Sequence, residues 1–150
     1  MKKSQRIKTI VDLKAAQEQD SLEALGVSQR KLMTLQTQVD GLKNYRQDYQ
    51  DKFNRLGQGG ANVGQLMEFR SFMAKLDQAI TGQEYSLDQG KAEVANKRKI
   101  WESLHQRTQS LQKIYQTALK TEQNQESKAE QLEQDERASR LGKNNADSFY

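Results

Sequence analysis

Large apolar residues stand seven apart along the second half of this chain: Met73, Ile80, Leu87, Val94 and Trp101, with Tyr115 two repeats further on. A second set, Leu76, Leu104, Leu111 and Ala118, falls three or four residues from the first. A straight α-helix repeats every 3.6 residues, so a sustained seven-residue repeat keeps its apolar seam on one side only by supercoiling around a partner. The first half supplies that partner. Ile7, Val11, Leu25, Leu32, Leu35, Val39, Leu42, Tyr49, Phe53 and Leu56 follow similar three-four spacing. The dense glycine cluster Gly57, Gly59, Gly60 and Gly64 lies between the two runs and suits a chain reversal. The expected fold is all-α: a long two-helix antiparallel coiled-coil hairpin, elongated and monomeric.

Composition agrees with a wet helical pair. Only 34% of the 150 residues are hydrophobic, and the mean hydropathy is −1.02, too polar for a thick globular core. There is no proline, and good helix formers dominate. With no cysteine there is no disulfide framework, which is compatible with a reducing compartment. The segment MKKSQRIKTIVDL is basic without a continuous apolar stretch, so it does not read as a secretion signal. No window reaches the roughly 20 apolar residues that span a bilayer. The expectation is a cytoplasmic protein with no direct membrane insertion.

The pattern places the first helix at about 5–56, a glycine-rich turn at 57–64 and the second helix at about 65–136. These make one domain, 1–136, and leave 137–150 as a flexible C-terminal tail. The first arm would be on the order of 75 Å long, and the second would overrun it by about 30 Å. If the turn is centred there, facing residues have numbers summing to about 121. Tyr49 then faces Phe72, Leu42 faces Ala79, Leu35 meets Leu87, Ile10 faces Leu111 and Ile7 faces Ile114. Polar Glu18, Ser21 and Ser28 weaken the middle of the seam.

Charge and chemistry narrow the function class. The net charge of +4 is spread over both signs, without the basic face and interleaved aromatics of a nucleic-acid binder. Basic residues Lys2, Lys3, Arg6 and Lys8 open the chain, and an acidic stretch from Glu122 to Glu136 closes the second helix. His105, the single histidine, is expected at the solvent edge of a helix, and without cysteine it makes no zinc or thiol site. No metal, cofactor or catalytic residue is expected, and the chain does not read as an enzyme.

Near the turn the apolar face is wider than a two-stranded seam needs. Gln38, Leu42, Tyr45 and Tyr49 form one stripe, and Phe69, Phe72, Leu76, Ala79 and Gln83 form another. The alternative to a docking patch is that these aromatics simply seal the hairpin end.

The segment LKNYRQDYQDKFNRLGQGGANVGQLMEFRSFMAKLDQAITGQ, Leu42 to Gln83, resembles the core of the flagellar export protein FliJ family. The shared pattern is Leu-x-x-Tyr-x-x-x-Tyr, a glycine-containing turn, then aromatic-x-x-Phe-x-x-x-Leu-x-x-x-Ile. The resemblance implies a non-enzymatic stalk in the flagellar type III protein export apparatus, peripherally associated with its membrane-bound part. Its implied partners are the hexameric flagellar export ATPase and the cytoplasmic domain of the export gate protein FlhA, with export chaperones as further candidates. The implied gate-binding set is Gln38, Leu42, Tyr45, Tyr49, Phe72, Leu76, Ala79 and Gln83. By the stalk analogy the opposite end enters the ATPase ring through Arg6, Ile7, Ile10, Val11, Leu111, Ile114, Tyr115 and Leu119. An export chaperone holding substrates and a generic coiled-coil tether stand as alternatives.

Overall fold

The computed structural model describes residues 1–147. Two helices make up nearly all of them, α1 (Lys3–Gln58) and α2 (Val63–Asp147), with no strand among the described residues. They pair antiparallel as the seven-residue repeats require: Phe53 stacks on Phe69 near the turn, and Ser4 reaches Glu122 near the termini.

The helix bounds differ from those expected. The turn is shorter, because Gly57 and Gln58 still belong to α1 and Val63 and Gly64 already belong to α2. Gly59 and Gly60 donate their N–H groups back to the carbonyls of Leu56 and Gly57. Gly60 has φ +91°, a left-handed conformation that explains glycine at this position. Asn62 and Gln65 form a reciprocal capping box: the Asn62 side chain accepts the Gln65 N–H at 2.8 Å, and the Gln65 side chain accepts the Asn62 N–H at 3.2 Å. At the other end α2 continues to Asp147, beyond the end expected near residue 136. Arg137 and Arg140 lie four residues after Glu133 and Glu136 and pair with them at 2.9 and 4.0 Å, which supports the added turns. Residues 148–150 of the expected tail lie outside the described residues.

Two compact units can be distinguished. One comprises Gln19–Ser103. Its buried apolar side chains are Leu25, Val39, Phe69, Met73, Leu76, Ile80, Leu87 and Val94, all members of the three-four pattern, and Val39 is 1% exposed; Ser28 is buried with them and donates its hydroxyl to the Leu25 carbonyl at 2.8 Å. Facing numbers sum to 121–122: Tyr49 meets Phe72 as expected, and Phe53 stacks on Phe69. Gly90 fills a seam position where the helices come close. A Cβ there would stand 3.1 Å from a Leu35 methyl and 3.3 Å from one of Leu32.

The other unit comprises Met1–Glu18 with Leu104–Tyr150. Its seam is thinner: Val11 is buried, and Ile7, Leu111, Tyr115 and Ala118 are half-buried. Two expected pairs do not hold this end together. Ile10 is 47% exposed and Ile114 is 51% exposed, so neither Ile7–Ile114 nor Ile10–Leu111 is a seam layer. Val11 and Tyr115 hold the seam-facing side of their helices, and Ile10 and Ile114, one position before each, are turned to its flank. His105 lies at the edge of the seam with its side chain 39% exposed, and its Nδ1 lies 2.5 Å from a Glu18 carboxylate oxygen.

Candidate docking surface beside the turn

In the Gln19–Ser103 unit the seam of α1 runs through Val39, Leu42, Arg46, Tyr49 and Phe53, and that of α2 through Phe69, Met73, Leu76, Ile80 and Gln83. Residues just before the seam positions Val39, Arg46, Met73 and Ile80 share one flank of an antiparallel pair. They are Gln38, Tyr45, Phe72 and Ala79. Residues just after Leu42, Leu76 and Gln83 share the other flank, and they are charged: Lys43, Asp77 and Glu84. Lys43 pairs with Glu84 at 3.1 Å, and Arg46 leans out of the seam to meet Asp77 at 2.6 Å. The hydrogen bond to Asp77 raises the Arg46 guanidinium above its ordinary value. One flank is therefore closed by ion pairs and the other is left aromatic and small.

The aromatic flank is built outward from the core. Phe69, Met73 and Leu76 form a buried cluster with Tyr49, Phe53 and Phe72 packed against it. Phe53 and Phe69 stack with ring centroids 3.8 Å apart. Tyr49 lies 4.5 Å from Phe72 and 5.6 Å from Phe69. Tyr45 is the outermost ring: it meets Phe72 edge-on at 6.1 Å and Tyr49 at 6.5 Å, and it remains 51% exposed. The edge-on contact of Tyr45 with Phe72 is a favourable geometry for an aromatic pair.

The structure thus brings together Tyr45, Tyr49, Phe72 and Leu76 of the eight residues singled out around the turn. Leu42 is half-buried in the seam, and Gln38 and Ala79 are exposed further along the aromatic flank. Gln83 is half-buried in the seam, and its Oε1 is buried with no hydrogen-bond partner among the described residues. Sequence spacing did not single out Val63 and Met67, which are exposed around the turn itself, as is Leu56. Leu56 follows the seam pattern, but the chain reverses before anything covers it.

The eight residues singled out for the terminal end divide by burial. Arg6, Ile10 and Ile114 are exposed, Ile7, Leu111, Tyr115 and Leu119 are half-buried, and Val11 is core. The end is closed by polar contacts missed from the sequence. A Glu122 carboxylate accepts the Ser4 backbone N–H at 3.0 Å and the Ser4 hydroxyl at 2.5 Å, while Lys2 pairs with Glu126 at 2.5 Å. Glu122 therefore caps the start of α1 from the opposite helix, in a first turn that has no acidic residue of its own. These contacts, led by the Ser4 hydroxyl, lower the Glu122 carboxyl below its ordinary range. The hydrogen bond to Glu126 raises the Lys2 ammonium.

The model of the family described as Flagellar FliJ protein matches residues 2–147. The chain belongs to the FliJ family. No curated protein and no solved structure gives a match. The FliJ family is a non-catalytic component of flagellar protein export. In this FliJ-family chain, no helix among the described residues is long and apolar enough to cross a membrane.

Proposed function

We propose that this chain is a stalk-like coupling protein of the flagellar type III export apparatus. It links the hexameric export ATPase to the cytoplasmic domain of the export gate protein FlhA and promotes ATP hydrolysis and export. The observation that carries this reading is the aromatic flank, where Tyr45 lies outside the seam on Phe72 and stays half-exposed. A two-stranded coil closes without it, and buried aromatic anchors dominate protein interfaces. The gate is held by Tyr45, Phe72, Ala79 and Gln38 on that flank, with Leu42, Tyr49, Leu76 and Gln83 supporting them from the seam. Holding the gate keeps the chain peripherally at the membrane-bound apparatus. The ATPase ring takes the terminal end, where Arg6, Ile10 and Ile114 are accessible. No reaction occurs on the chain itself; it acts by binding one conformation of each partner better than another.

The test is titration of the gate's cytoplasmic domain with the full chain carrying Tyr45→Ala, alongside charge reversal of Lys3, Arg6 and Lys8 assayed against the ATPase. Tyr45→Ala should weaken gate binding by roughly 30-fold, the equivalent of about 2 kcal/mol. The reversals should weaken ATPase binding most at low salt. Unchanged affinities would move both contacts elsewhere.

One observation favours a second reading. Leu56, Val63 and Met67, exposed around the turn, offer the adaptable apolar surface of an escort for export substrates or their chaperones. Suppressed aggregation of unfolded export subunits, lost on Met67→Ser and Val63→Ser and without stimulation of the ATPase, would replace the stalk reading.

A further inference from the structure

In the unit Gln19–Ser103 two glycines stand where the fold itself has no need of them. Gly41 and Gly82 lie inside α1 and α2 and are exposed, and a Cβ added to either would meet nothing within 4 Å. Neither has a positive φ. Glycine inside a helix weakens it relative to alanine, so an unforced pair points to a contact outside the hairpin. Gly90 in the same unit differs, because Leu32 and Leu35 occupy the space beside its Cβ position.

Both glycines border the aromatic flank. Gly41 lies three residues after Gln38 and four before Tyr45, and Gly82 lies three after Ala79 and four before Ser86, so each trio shares one side of its helix. The register of the seam brings Gly41 and Gly82 level across the hairpin, between the Tyr45–Phe72 contact and the Lys31–Glu93 ion pair at 3.7 Å. Next to them is a recess of about 280 Å³ lined by Leu35, Ser86, Gln89 and Gly90, with Lys31 and Glu93 among its other walls. Ser86 belongs to both the flank and the recess, so the two are continuous. The flank is thus a trough. The rings of Tyr45 and Phe72 close one end, glycine lowers each wall beside Ala79, and the recess runs to the ion pair. From Phe72 to Glu93 it extends about 31 Å along α2.

We propose that this trough seats a single α-helix of the gate's cytoplasmic domain, laid along the hairpin between α1 and α2. The proposal rests on the gate reading above and adds to it the form of what is bound and the residues that admit it. The backbone groups of this part of the hairpin are used within its own helices, so it has no edge to which a strand could add. A groove between two helices instead takes an amphipathic third helix, at an axis distance of about 8–10 Å set by the side chains at the contact. With glycine on both walls, the partner's backbone can settle close over Ala79. The bound helix then sets one large apolar residue against Tyr45 and Phe72, a small one over Ala79 and a second large one in the recess.

Leucine at the glycines separates docking from folding. In the full chain, Gly41→Leu and Gly82→Leu should leave the thermal melt unchanged or raised, because the space beside each is open. Each should weaken binding of the gate's cytoplasmic domain on the order of tenfold or more in titration. Gly26→Leu, also inside α1 but off this flank, should leave that affinity unchanged. Hydrogen exchange on the gate domain should show added protection along one of its helices in the complex. Protection confined to a strand or a loop overturns the proposal. A melt lowered by either leucine overturns it too, because the glycines would then serve the fold. If both leucine variants bind the gate domain undiminished while Tyr45→Ala weakens it, the gate reading stands and the trough is not the seat. If the unmodified chain does not bind the gate domain, both fall. Leucine variants that lose the ATPase and keep the gate would give the trough to another partner and equally defeat the proposal.

Discussion

Gln83 carries a buried carbonyl oxygen without a hydrogen-bond partner among the described residues, and the register sets it level with Val39, which is 1% exposed. A buried acceptor left unsatisfied costs about 1–3 kcal/mol, whereas an apolar side chain of similar size avoids that cost. Gln83→Leu is therefore expected to stabilise the hairpin by about 1–2 kcal/mol in urea denaturation. If Gln83 also serves docking, the same variant should bind the gate domain less well. Tyr45 and Phe72 were legible as a pair beside the seam, because helical spacing assigns faces. Spacing does not order rings within a face, and there the structure separates them. Phe72 rests on Tyr49 and the Phe69–Met73–Leu76 cluster, while Tyr45 only covers it from outside. Tyr45→Ala should cost under about 1 kcal/mol of stability, Phe72→Ala about 1–3 and Leu76→Ala about 2–5, read from the same denaturation curves. Equal losses for all three would make the aromatics plain core.

At the scale of the helices, the start of α1 depends on a residue more than a hundred positions away. Glu122 caps it through Ser4, and the carboxyl is lowered from its ordinary 4.5 mainly by the Ser4 hydroxyl and then by its backbone N–H. A carboxyl lowered on folding contributes stability that is present above its unfolded value and lost as pH falls through the folded one. The Lys2 ammonium, raised from 10.5 by Glu126, contributes fully below its unfolded value and is lost as pH rises through the folded one. The first turns of α1 should therefore stay protected from amide exchange at neutral pH, open in acid below the ordinary carboxylate range, and open again in strong alkali. Glu122→Gln should expose the Ser4 amide at neutral pH; unchanged protection there would mean the cap is dispensable. The helices themselves were legible from the three-four pattern. Their ends were not, because caps depend on contacts that periodicity does not encode. The Asn62–Gln65 box was present in the sequence as Asn-x-x-Gln, but the Glu122 cap comes from the opposite helix and carries no local signal. Interior glycines separate in the same way. Gly41 and Gly82 have nothing near a Cβ, so alanine at either should add about 0.5–1 kcal/mol of stability. At Gly90 the methyls of Leu32 and Leu35 oppose that gain, and its alanine variant should fall well short of the other two in the same thermal melts.

For the molecule as a whole, the hairpin was readable because the seven-residue repeat leaves a chain this polar one way to bury its apolar residues. The aromatic flank was readable because it exceeds what that burial needs. What escaped the repeat were positions where polar side chains occupy the seam: Ser4, Glu18 and Arg46 pass as interruptions in sequence, yet in the structure they make hydrogen bonds or ion pairs across it. The two units differ accordingly. Gln19–Ser103 has a run of buried apolar layers, while the unit containing the termini buries only Val11 among its described large apolar residues. Native-state hydrogen exchange should find the amides around Val39 the slowest in the chain and those around Val11 much faster. Coupling requires that the gate and the ATPase be held at once, and this can be observed without assuming any mechanism. The gate's cytoplasmic domain, immobilised and washed with export ATPase, should retain the ATPase only when this chain is added, and Tyr45→Ala should abolish that retention while leaving the chain's binding to the ATPase alone unchanged. Retention without the chain, or undiminished by Tyr45→Ala, would contradict the account.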